Sequence, residues 1–123
     1  MLAFLLDEDT HGGLAEAFRR RVRLGTLPAV DVIRVGDLGG PPAGIKDPEL
    51  LIWAEEHDRV IVSNDKRTLP SHLQNHLASG RHSPGILFAK PGTSIAQLID
   101  ELVLISVACT PDDFRDSYQF LPH

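Results

Sequence analysis

The stretch that decides the fold is "KDPELLIWAEEHDRVIVSNDKRTL", residues 46–69. It opens as a helix should: Asp47 stands as the N-cap, Pro48 takes the first helical position, and Glu49 falls in the first turn. Leu50, Trp53 and Ala54 then recur at helical spacing and form a core-facing stripe. Next comes a short apolar run in "RVIVSND", continuous enough to be a strand buried on both faces, and it ends at Asp65. A helix feeding a doubly buried strand is the second half of a βαβ unit, so the flanking sequence should alternate in the same way.

It does. Upstream, "MLAFLL" reads as a first buried strand, and "LAEAFRRRV" (14–22) as a helix with Leu14, Ala15, Phe18 and Val22 on one side. "VDVIRV" (30–35) reads as a second strand, and the Gly/Pro-rich segment 36–45 as a loop. Downstream, 69–79 reads as a helix, "GILFA" as a fourth strand, and "SIAQLIDELVLISVA" as a long helix opened by Ser94. "SYQFLPH" closes the chain as a short strand. The expectation is an α/β protein with one domain over 1–123, a three-layer arrangement in which helices flank a mostly parallel sheet of four to five strands.

Bulk composition narrows the function classes. At 123 residues with 42% hydrophobic content, the chain can bury one contiguous core. A net charge of −5 argues against broad polyanion binding, so any nucleic-acid contact has to be local or bridged by metal. The single Cys109 excludes an internal disulfide, and its apolar neighbours suggest a buried, inert thiol. No basic segment precedes Asp7 and no apolar run approaches the roughly 20 residues needed to span a bilayer. The expected setting is therefore the cytoplasm, without a membrane.

The chemistry concentrates in acids. Asp7, Glu8 and Asp9 are consecutive at the end of the first strand, although neighbouring like charges repel by about 1 kcal/mol per close pair even in high dielectric. Open α/β sheets bind ligands beyond the carboxyl ends of their strands, where strand order reverses. If the first and third strands are neighbours, Asp7 and Asp9 meet Asp65 there, and Asp47 joins them if the loop 36–45 returns its helix to that edge. Such a set of oxygen donors suits Mg²⁺ or Mn²⁺. Each acid also has a plainer use: Asp47 as an N-cap, Asp65 in the turn "SNDK", Asp9 as a cap of the first helix. His72 and His76 stand at i and i+4 on the expected helix 69–79, a spacing that can clamp a transition metal or simply set two histidines on a solvated face. Lys66 and Arg67 directly follow Asp65, where they can reach a phosphate backbone or remain in a solvated turn. Arg19 to Arg21 read as a solvated face.

Three families resemble parts of this pattern. "DEDT" looks like the nucleophile motif of haloacid-dehalogenase-type phosphatases, which would make Asp7 the nucleophile and Asp9 the general acid, with Lys90, Asp112 and Asp113 in support. Receiver domains share the acids after the first and third strands and a late lysine, but Lys90 follows only the fourth strand. The more extensive resemblance is to PIN-domain nucleases, including VapC-type toxins, and to a bacterial PIN-like family of unknown function. "FLLDED" matches their first strand, with Asp9 where Asn is usual. The quoted block 46–69 matches a second pattern of Asp, Ala and an apolar run ending in Thr-x-Asp, with Ser63 in the Thr position. "SPGILFA", the helix "SIAQLIDELVLI" and the "LP" tail extend it over nearly the whole chain.

That resemblance implies metal-dependent hydrolysis of RNA phosphodiesters. Asp7, Asp47 and Asp65 would ligate Mg²⁺ or Mn²⁺, and Asp9 would be an auxiliary ligand or orient the attacking water. Ser63, Lys66 and Arg67 would contact substrate. It also implies a small antitoxin protein or a second copy of the chain as partner. PIN nucleases usually carry a further Glu between the first strand and the later Asp block; the abbreviated segment 36–45 offers only Asp37, with Glu8 and Glu49 nearby. A non-catalytic PIN-like interaction module is the alternative from another class.

Overall fold

The computed structural model describes residues 2–8, 13–25 and 30–122; Asp9 lies outside them. The elements alternate as β1 (Ala3–Leu6), α1 (Leu14–Arg23), β2 (Asp31–Arg34), α2 (Asp47–His57), β3 (Val60–Ser63), α3 (Leu69–Ala78), β4 (Ile86–Ala89), α4 (Ile95–Ala108) and β5 (Tyr118–Leu121). The strands form one sheet in the order β2-β1-β3-β4-β5, with every neighbouring pair parallel.

The continuous apolar runs have a simple cause. Phe4, Leu6, Val60, Val62 and Leu87 point to one face, where Leu14, Phe18, Leu98, Ile99 and Leu102 of α1 and α4 cover them. Leu5, Ile61, Ile86 and Phe88 point to the other, under Leu50, Leu51, Ala54, Leu69 and Leu73 of α2 and α3. A strand covered on both sides has no polar face to alternate with.

Helix starts follow local chemistry. Ser94 and Gln97 form a reciprocal capping box at α4. At α2 the structure shifts the expected boundary by one residue: extended Lys46 occupies the cap position and Asp47 is the first helical residue, with no side-chain cap. The Asp47 carboxylate is thereby released for other contacts. Cys109 is only half-buried, at the end of α4. Arg19 and Arg20 of α1 are exposed and Arg21 is half-buried, the largely solvated face expected, on which Arg19 pairs with Asp37 at 2.8 Å and Arg21 with Asp100 at 3.0 Å.

The connection through α4 is unusual. The steps β2→β3 and β3→β4 run in one direction across the sheet with their helices on one face, and β1→β2 runs oppositely with α1 on the other face. These three crossovers therefore share one hand. The step β4→β5 continues in the direction of β3→β4, yet α4 lies on the face of α1, so this crossover has the opposite hand. Parallel crossovers of the two hands are far from equally common. Burial supplies the reason: α1 contributes only Leu14, Ala15 and Phe18 to the core. The apolar α4 is needed on that face to cover β1 and β3. Consequently the α2/α3 face of β5 has no helix of its own.

Candidate functional site

The direction of strand progression reverses between β1 and β3, the place where open α/β sheets leave a crevice at their carboxyl edge. Asp7 leaves β1 at that point, with its N–H still donating to the Val62 carbonyl at 2.9 Å. Its side chain is held inward, 8% exposed. Oδ1 accepts from the Glu8 N–H at 2.7 Å and Oδ2 from the Ser63 hydroxyl at 2.9 Å. Ser63 is fully buried, and its oxygen in turn accepts from the Asp65 N–H at 3.0 Å. It supports two acids from beneath, whereas the resemblance implied a contact with substrate.

Asp65 closes a tight turn into α3. Its Oδ1 accepts from the N–H groups of Arg67 and Thr68, each at 3.2 Å, and its Oδ2 from the Thr68 hydroxyl. The same hydroxyl oxygen lies 3.2 Å from Asp47 Oδ2. A threonine has one hydroxyl proton, so two carboxylate oxygens share a single donor. His72 Nε2, one turn into α3, stands 3.8 Å from that Asp47 oxygen, a pairing that strengthens when the ring is protonated. The structure thus links Asp7, Ser63, Asp65, Thr68 and Asp47 in one chain of contacts. Thr68 is the member that sequence reasoning missed; its signal was a hydroxyl residue directly before a helix and three residues after Asp65.

Other expected contributors separate. Lys66 joins Asn64, Lys90 and Thr93 around a cavity of about 430 Å³ at the ends of β3 and β4. Arg67 instead lines a groove between α3 and β5, so the two cations are not brought together. His76 is engaged away from the acids: its Nε2 lies 2.8 Å from the His82 carbonyl and 3.2 Å from Glu55. Glu8 accepts from the Gly44 N–H at 2.7 Å and pins the loop 36–45 to the end of β1. Asp37 is held by Arg19 and by the Arg34 N–H. Asp112 and Asp113 precede β5 and therefore sit at the amino edge of the sheet, opposite Asp7.

Among the described residues, no group of three or more His, Cys, Asp or Glu side chains is gathered to hold a metal ion. The pair Asp47 and Asp65 still fits one by donor chemistry. Mg²⁺ keeps several waters and is commonly held by one or two carboxylates, and these two oxygens face each other across one shared proton. Among the described residues no helix is long and apolar enough to cross a membrane. No protein-family model, curated protein or solved structure matches the chain.

Asp65, Glu55 and Asp116 are held more acidic than usual. For Asp65 the Thr68 hydroxyl outweighs the opposing cost of burial, helped by the Thr68 and Arg67 N–H groups and by His72. For Glu55 the His82 N–H leads, with Arg81 and His76 assisting. At Asp116 burial opposes ionisation, but the His82 ring and the Ser83 N–H overcome it. A lowered folded pKa gives stability that is complete above the ordinary values, 3.8 for Asp and 4.5 for Glu, and is lost as pH falls through the lower folded values. Urea midpoints should therefore change little on account of these groups between pH 7 and about 5, then fall steadily below about pH 4. A midpoint that held constant down to about pH 2 would contradict these pairings.

Proposed function

We propose that this protein is a PIN-like, metal-dependent ribonuclease that hydrolyses RNA phosphodiesters. The observation that carries the reading is the linked set Asp7–Ser63–Asp65–Thr68–Asp47 at the carboxyl ends of β1 and β3. Asp47 and Asp65 would hold Mg²⁺ or Mn²⁺, which when bound supplies an activated water and a Lewis acid for a phosphoryl oxygen. The chain itself does the remaining work. Thr68 orients both carboxylates, while Asp7, anchored through Ser63, fixes the turn from which Asp65 projects. Lys66 and Lys90, with Asn64 and Thr93, offer a local patch for the phosphates next to the scissile one. This locality suits a chain whose net charge is −5.

The covalent phosphatase reading is less well supported. Both Asp7 oxygens already accept hydrogen bonds, and the supporting acids Asp112 and Asp113 belong to the opposite edge. Ribonuclease activity would suit a toxin held in check by a small antitoxin protein. The test is incubation of end-labelled single-stranded RNA with the protein and Mn²⁺. Cleavage that stops on chelation with EDTA is the expected result. RNA that is bound but stays intact at every Mn²⁺ and Mg²⁺ concentration would overturn the enzyme and favour a non-catalytic interaction module, a role consistent with Asp37 being committed to Arg19 and Arg34.

A further inference from the structure

We propose that β5 is a self-pairing edge, through which two copies of this chain join their sheets about a two-fold axis at Gln119. The sheet ends at β5 among the described residues. In its register with β4, Ser117 and Leu121 accept from the Ile86 and Lys90 N–H groups. Strand alternation therefore turns the main-chain groups of Tyr118 and Phe120 outward. The next outward position, Pro122, has no N–H, and on the other side the Asp116 N–H is used by the Ser83 carbonyl. The ladder thus offers two outward donors, the N–H groups of Tyr118 and Phe120.

Such a short ladder selects its occupant. An antiparallel second β5 centred on Gln119 sets Tyr118 opposite Phe120 of the other copy, and Phe120 opposite its Tyr118. Every outward donor then meets an outward acceptor, and the missing Pro122 donor is never called upon. The side chains agree. Tyr118 and Phe120 are 46% and 37% exposed on the face that α4 leaves bare, and the two rings pack edge-on at 6.1 Å. Cross-strand aromatic pairs of this kind stabilise sheets.

Charge agrees as well. Arg67 follows the carboxyl end of β3 and Asp116 precedes β5, so they mark opposite ends of the roughly 610 Å³ groove between α3 and β5. An antiparallel partner brings its Asp116 end to the Arg67 end of the first copy, twice by symmetry. The other edge lacks this character: β2 carries Asp31 and Arg34 at its ends, and Arg59 pairs with Asp31 at 2.9 Å. Charged residues of that kind guard an edge against pairing.

The test is independent of any nuclease activity. Sedimentation equilibrium at about 0.1 mM, where small strand-mediated interfaces populate, should give twice the 13.5 kDa chain mass. Phe120→Lys should weaken association at least about tenfold, and Val107→Lys on the outer side of α4 should leave it unchanged. Because Phe120→Lys also removes a ring packed on Phe88, a second variant reads the axis directly. Gln119→Cys in a Cys109→Ala background places two thiols at a non-hydrogen-bonded antiparallel pair, about 4.5 Å between Cα atoms, within disulfide reach. It should oxidise to a covalent dimer, whereas Val107→Cys in the same background should not. A monomer at every concentration, a dimer indifferent to Phe120→Lys, or Tyr118 and Phe120 amides that gain exchange protection only when a different protein is added would each overturn the proposal.

Discussion

Asp65→Asn should reduce metal-dependent RNA cleavage by about two orders of magnitude or more while leaving the protein folded. The two effects separate because Asp65 does two jobs. Its Oδ1 accepts the Arg67 and Thr68 N–H groups and shapes the turn into α3. An asparagine oxygen accepts the same bonds, since Asn and Asp both form such turns. The negative charge has no such substitute. In the proposed site a divalent ion would then lose one of its two carboxylates, and the Thr68 hydroxyl is freed to serve Asp47 alone. Loss of a positioned electrostatic group at a phosphoryl-transfer site commonly costs about 10²–10³ in rate. The stability change should stay near 1 kcal/mol, the scale of one net hydrogen bond. Cleavage of labelled RNA and urea unfolding of the same preparations read the two effects. A variant that cuts as fast as the wild type would remove Asp65 from the reaction and sink the proposed site.

Gly85→Ala should be the most damaging glycine-to-alanine substitution among the described residues. Gly85 precedes β4 with φ +116°, a conformation hostile to L side chains, and its carbonyl accepts from the Ile61 N–H. A Cβ there would meet the Phe114 carbonyl oxygen and the Phe114 Cβ, both far inside contact distance. Phe114 is itself fully buried in the core shared with α1 and α4, so it has nowhere to retreat. Backbone strain of about 1–3 kcal/mol adds to an overpacking cost of similar size, giving a loss of roughly 3 kcal/mol or more. That is a large share of the roughly 5–15 kcal/mol typical of a domain. Gly80→Ala is the control: its φ is +89° but a Cβ there meets nothing within 4 Å, so only the backbone term remains. Equal urea midpoints for the two variants would show that the Phe114 contact yields without cost.

Much of the architecture was readable because burial leaves a periodic trace. β1 and β3 are doubly covered, so their runs are continuously apolar, and the Ser94 capping box announces α4 in the sequence itself. The positions of Asp7 and Asp65 at strand ends and of Asp47 at a helix start were readable because these are local features. Thr68 was overlooked because its importance depends on Asp47, 21 residues earlier, reaching the same hydroxyl. Ser63 and Arg67 were credited with substrate contacts because adjacency to Asp65 says nothing about which way a side chain leaves the backbone. One is buried beneath the acids and the other enters a different groove.

The sequence by itself determined the alternation of elements, the doubly buried strands and the placement of acids at strand ends, since each follows from residues within a few positions of one another. The tertiary structure alone decided the order β2-β1-β3-β4-β5, the unusual hand of the β4–α4–β5 connection and the sharing of one hydroxyl by Asp47 and Asp65. These are choices of face and neighbour between segments far apart in the chain. They are settled by which surfaces remain to be covered once the local elements exist: α4 goes where α1 leaves β1 and β3 bare, and β5 is left with an open edge.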